Sequence, residues 1–172
     1  MKKIIIRFNA PVILSFALLS LIALLLGNWT NGAATTQYFS VYRSSLADPL
    51  TYVRFFGHVL GHADYDHYMG NMLLLLLVGP GIEEKYGHRT TALCIAVTAL
   101  VTGLVQFIFF PATALLGASG IVFMMIVLSS FTAMRRGEIP VTLILVVIFY
   151  LGGEIMDGLF KQDNVSQIAH IV

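Results

Sequence analysis

Several apolar runs in this chain carry polar side chains at the same end, and that pairing constrains the fold more than any other feature. The segment His62-Ala-Asp-Tyr-Asp-His67-Tyr-Met-Gly-Asn71 leads directly into the apolar run 72–78. Gly117-Ala-Ser119-Gly120 opens the run 121–134, and Ala169-His170 stands close to the end of the sequence. Ionisable and hydrogen-bonding groups in hydrocarbon are costly, so they need a partner, a water-filled cavity or a chemical role. A serine, two histidines and an asparagine at one depth make a candidate catalytic set for acyl chemistry inside a membrane.

The 172 residues are 58% hydrophobic and 11% charged, with a mean hydropathy of +0.85. A soluble domain carries roughly 25% charged residues, so the composition is that of a membrane protein. Five apolar stretches stand out, at residues 11–27, about 68–82, 91–110, 119–134 and 141–152. A 17-residue helix is about 26 Å long, slightly short of a typical hydrocarbon core. Short helices of this kind suit a bundle that holds a wet cavity or thins the bilayer around itself. The expected fold class is all-α, a polytopic membrane helix bundle, with residues 1–172 forming one domain. Gly79-Pro80-Gly81 is expected to end the second helix, because proline lacks an N–H and glycine favours chain reversal. A net charge of +1 argues against a nucleic-acid partner. The single Cys94 lies in an apolar run and excludes an internal disulfide.

Lysine and arginine gather on the cytoplasmic side of membrane proteins. With the N-terminus inside, the cytoplasmic set is Lys2, Lys3, Arg7, Lys85, Arg89, Arg135 and Arg136, against Arg43, Arg54 and Lys161 outside. Every alternate loop obeys the bias, which puts His62, His67, Asn71, Ser119 and His170 near the outer face. The expected location is a plasma (inner) membrane. Lys2-Lys3 followed by an apolar run is similar to a secretory signal, but the run exceeds a usual signal core and is read as a retained first span. The long connection 28–66 is rich in tyrosine and phenylalanine and is expected to lie at the membrane interface.

His67 and Asn71 are four residues apart and share one helix face. Both can donate hydrogen bonds to a developing negative oxygen, as a tetrahedral acyl intermediate requires. Ser119 sits among small residues that let a substrate backbone approach, at a helix N-terminus where N–H groups converge. Its hydroxyl needs a base within reach, and His170 is at the right depth to serve. No acidic residue within a span completes a triad; Glu154, Asp157 and Asp163 belong to the loop before His170.

Together these marks resemble the rhomboid family of intramembrane serine proteases. The matching residues are His62-x4-His67-x3-Asn71, Glu83-x3-Gly87, Gly117-x-Ser119-Gly120 and Ala169-His170, with Arg54 and His58 in the first outer loop. The resemblance implies a six-helix bundle with an outward-opening, water-filled cavity. It implies Ser119 as nucleophile and His170 as base of a Ser–His dyad, with His67, Asn71 and the Ser119 N–H forming the oxyanion hole. His62, Gly117, Gly120 and Phe123 would support them. Residues 153–167 and the fifth helix would resemble the family's cap and lateral gate. The substrates would be membrane-spanning segments of other proteins, and no cofactor or metal would be needed. Two departures stand out. Phe123 occupies the position where the family tends to place a tyrosine, and the chain stops two residues past His170. The sixth helix is therefore read as truncated or cropped.

Two other functions compete with this one. His58, His62 and His67 with Asp64 and Asp66 offer five possible metal ligands within ten residues, although the His-Glu-x-x-His zinc pattern is absent. A transport path should also be polar through its depth, and residues 73–78 are wholly apolar. The other is a catalytically inactive rhomboid-like protein that binds membrane clients. The sequence leaves substrate and oligomeric state open.

Overall fold

The computed structural model describes residues 8–132, 139–141 and 143–148. Among them are six α-helices: α1 Pro11–Trp29, α2 Ala33–Tyr38, α3 Pro49–Gly57, α4 Tyr65–Tyr86, α5 His88–Phe109 and α6 Ser119–Thr132. A short 3-10 turn, His58–Leu60, follows α3. The only pairing of extended backbone among the described residues is the antiparallel bridge between Val41 and Leu115. The all-α bundle expected from the sequence is the observed architecture.

α1 and α5 are long and apolar enough to cross a membrane, with hydropathies of 2.2 and 2.3; α6 is a shorter apolar helix. Their outward faces carry Leu18, Leu25, Leu93, Val97, Val101 and Ile108, all exposed. In water such a surface would be a heavy liability, whereas lipid solvates it without cost. The interior is small and well filled: Ile13, Phe16, Leu24, Met72, Leu75, Ile82, Ile121, Val122 and Met125 form one core where α1, α4 and α6 meet. α4 is the central element, packing most extensively on α6 and then on α1.

The start of α1 shows why α4 must reach past its apolar run. Pro11 opens the helix and has no N–H to satisfy. The next donors, Val12 N–H and Ile13 N–H, bind the two carboxylate oxygens of Glu83, each at 2.9 Å. Leu14 N–H bonds Ala10 C=O at 2.9 Å. All first-turn donors are thereby satisfied although Ala10 offers no side-chain cap. His88 Nδ1 approaches the same carboxylate at 2.6 Å. Glu83 is fully buried, and its three partners, Val12 N–H, Ile13 N–H and His88, make that burial tolerable.

This arrangement corrects one expectation. Gly79-Pro80-Gly81 does not end the helix: α4 runs through Pro80 to Tyr86 and stops only at Gly87, at φ 83°. Pro80 removes one N–H from the ladder. The two further turns persist because Gly79 and Ile82 are buried in the bundle and Glu83 holds α1. The fourth helix keeps its expected start at Ser119 and is described to Thr132. The expected fifth span is described only in part, at 141 and 143–148, and the expected sixth lies outside the described residues.

Candidate active site

The connection between α1 and α4 is folded back on itself by buried polar groups. Arg54 is only 5% exposed. Its Nε donates to Gln37 C=O at 3.0 Å, one terminal nitrogen binds Asp48 at 3.2 Å, and the guanidinium lies over the Tyr42 ring. Asp48 also caps α3 by accepting from Leu50 N–H. The Arg43 guanidinium donates to Phe107 C=O at 2.7 Å, at the end of α5. Val41 and Leu115 exchange two backbone hydrogen bonds of 2.9 Å. This connection therefore grips the loop 110–118 that delivers Ser119.

The loop is gripped again nearer the serine. Gly117 N–H donates to His58 C=O at 2.9 Å. Gly117 has φ 125°, a conformation open to glycine and strained for other residues. A Cβ there would stand 2.9 Å from both Cε1 and Nε2 of His67. The His67 imidazole therefore lies directly against the backbone two residues before Ser119. Gly120 abuts α5, where a Cβ would meet Thr102 at 3.2 Å.

Asp64 caps α4, accepting from His67 N–H at 2.7 Å. That fixes the first turn carrying His67 and Asn71. One N–H of the buried Asn71 carboxamide bonds His67 C=O at 3.0 Å. Ser119 is the first residue of α6, half-buried, with Ala118 C=O accepting from Val122 N–H at 2.9 Å. Phe123 lies one turn further along, also half-buried. His170, the expected base, lies outside the described residues, as do residues 153–167.

His58 and His62 occupy dry positions in the connection. His58 Nδ1 faces Arg54 C=O and Nε2 faces Thr102 Oγ1, both at 3.1 Å. A carbonyl has no proton to give, so Nδ1 carries the proton; Thr102 Oγ1, in contact with Nε2, donates to Thr98 C=O of its own helix at 2.9 Å. Burial pushes the His58 pKa down to about 4, partly offset by the Arg54 and Phe55 carbonyls. His62 Nδ1 donates in the same way to Leu60 C=O at 3.1 Å. Burial, reinforced by His67, lowers its pKa to about 4, against the opposing pull of Leu60 C=O and Asp64. Among the described residues no group of three histidine, cysteine or acidic side chains is placed to share a metal ion. His58 and Asp64 are instead engaged within the protein.

Sequence reasoning named Ser119, His67 and Asn71 as candidates, and the structure brings His67 against the serine loop. It missed Thr102, the interhelical partner of His58, and Tyr68, whose hydroxyl donates to Ala17 C=O of α1 at 3.2 Å. A threonine or tyrosine in an apolar run is the available signal, but it does not name its partner. A cavity of about 750 Å³ bordered by Asn28, Thr35, Tyr42, Arg54 and His62 does not include Ser119.

An all-α bundle with apolar outer faces, two of its helices long and apolar enough to cross a membrane, has the architecture of a membrane helix bundle. The Rhomboid domain family matches residues 49–172, and the chain belongs to that family. It is similar to Rhomboid-related protein 2 of Mus musculus, 30% identical over 92 residues. That match takes in 49% of this chain and 30% of the mouse protein, so the chain spans less than a third of that relative.

Proposed function

We propose that this protein is an intramembrane serine endopeptidase that cleaves membrane-spanning segments of other proteins near the outer membrane face. One contact carries the reading: the His67 imidazole lies against Gly117, at the mouth of the helix that Ser119 begins. A serine at a helix N-terminus with an imidazole against its loop suits acyl transfer with oxyanion stabilisation. Membership of the rhomboid family supports the same chemistry.

In this proposal the chain spans the membrane several times with its N-terminus inside. A substrate segment unwinds locally, because a peptide bond inside a helix is shielded by its own turn. Ser119 Oγ attacks the carbonyl carbon and passes its proton to His170. The oxyanion is held by Asn71, His67 and the Ser119 N–H. The C–N bond then breaks, His170 protonates the leaving amine, and one fragment departs. Water, deprotonated by His170, attacks the acyl-enzyme and releases the second fragment with Ser119 restored.

The test is fluorophosphonate labelling of the full-length protein in native membranes, beside Ser119→Ala and His170→Ala. Labelling in the wild type and in neither variant is expected. Wild-type protein that is inserted yet unlabelled would remove the protease reading and favour a client-binding role.

A further inference from the structure

His67 has a rigid support on the side of α1 and the connection. Tyr68 is 9% exposed, and its hydroxyl is tied to Ala17 C=O of α1. The His62 ring meets the Tyr68 ring edge-on, with centroids 5.5 Å apart at 85°. It also meets the His67 ring, at 5.1 Å and 70°. His67 in turn rests on the bare Cα of Gly117. A line of contacts thus runs from the α1 backbone through Tyr68, His62 and His67 to the serine loop. His62 is its middle member and is 2% exposed.

The way His62 is buried sets this ring apart from ordinary packing. Its Nδ1–H is tethered to Leu60 C=O, while Nε2 is buried with no hydrogen-bond partner among the described residues. An apolar side chain of the same shape would avoid the cost of that orphaned acceptor, about 1–3 kcal/mol in mutational terms. What the imidazole supplies instead is a flat ring that is tethered in orientation and wedged between two other rings.

We propose that His62 is a positioning residue for the reaction, holding the His67 imidazole against Gly117 at the angle from which it donates to the oxyanion. The inference rests on the protease reading and deepens it. His62 touches neither substrate nor Ser119 in this role; it acts through His67. Burial lowers the His62 pKa to about 4 and keeps its ring neutral. The groups facing it are His67 and Tyr68 of α4, Asp64 at the α4 cap and the Leu60 carbonyl of the 3-10 turn.

The test is a four-member cycle in the full-length protein, reconstituted with a model transmembrane substrate: wild type, His62→Ala, His67→Ala and the double variant. Displacing a reacting group by about 1 Å costs up to about a hundredfold. His62→Ala should accordingly lower kcat by about ten- to a hundredfold with KM held within about threefold. In the His67→Ala background the same change should cost less than about twofold, since the residue it positions is gone. Equal losses in both backgrounds, or wild-type kcat in His62→Ala, would overturn the proposal. Should His62→Ala fail to fold, His62→Phe decides, because it keeps the ring and discards both nitrogens. Retention of at least a third of the wild-type kcat supports the wedge. Loss of activity at an unchanged thermal midpoint, or failure of this variant to fold as well, overturns it. If Ser119→Ala still cleaves, the protease reading fails before the role of His62 is reached.

Discussion

Replacing Gly117 by alanine tests the site at its tightest point. Two separate penalties are expected. The first is backbone strain: φ 125° is foreign to alanine and costs about 1–3 kcal/mol. The second is steric. The new methyl would stand 2.9 Å from the His67 ring, whereas carbon contacts settle at roughly 3.5–4.0 Å. Either the ring or the loop must therefore yield by about 0.6–1 Å. A shift of that size in an oxyanion donor or in the nucleophile's loop lowers the rate by up to about a hundredfold. Thermal unfolding in detergent should show a fall of about 2–12 °C, converting 1–3 kcal/mol at about 2–4 °C per kcal/mol for a chain of this size. Cleavage of a model substrate should fall far more than that loss of stability explains. The double variant Gly117→Ala/His67→Ala separates the penalties, because removing the ring relieves the clash and leaves the strain. Its thermal midpoint should recover part of the loss relative to His67→Ala alone. A folded Gly117→Ala protein that cleaves within threefold of the wild-type rate would refute the placement of His67 beside the serine loop.

Three further outcomes follow from the same contacts. Asn71→Ala should lower the cleavage rate by about 10²–10³ if the carboxamide serves the oxyanion, and a change below tenfold in single-turnover assays would remove it from that role. Glu83→Gln replaces a carboxylate that accepts from Val12 and Ile13 N–H with a group whose NH2 must face one of those donors. The loss of one buried hydrogen bond should cost about 1–3 kcal/mol in thermal unfolding, and an unchanged midpoint would contradict the cap. His58 and His62 have folded pKa values near 4, below the 6.5 of an exposed imidazole. Unfolded chain therefore takes up protons first, and stability present above pH 6.5 drains away as pH falls towards 4. Each group contributes about 3 kcal/mol to that loss. Unfolding measured across the window should lose this slope when both histidines are replaced by glutamine.

The bundle was legible because it depends on composition and run length, and helix starts were legible where a polar residue precedes an apolar run. Ser119 heads α6 as expected, and the i, i+4 spacing of His67 and Asn71 places both on one face of α4, about a turn apart. What stayed hidden were pairings distant in sequence. Nothing local marks Glu83 as the cap of a helix some 70 residues earlier, and without that tie Pro80 looks like a terminator. Gly117 was legible as part of the Gly-x-Ser-Gly pattern, but not the contact that requires it to be small, the His67 ring set against it. Thr102 was hidden by its setting, since a single hydroxyl in an apolar run gives no sign of the histidine it serves.

The cap that Glu83 places on α1 bears on the order in which the protein comes together. During synthesis α1 emerges before α4, with Val12 and Ile13 N–H lacking the partner they have in the finished bundle. Water or lipid headgroups must serve those two donors until residue 83 has been made and α4 has turned alongside. The first turn of α1 is thus completed only once residue 83 is in place, some 70 positions later in the chain.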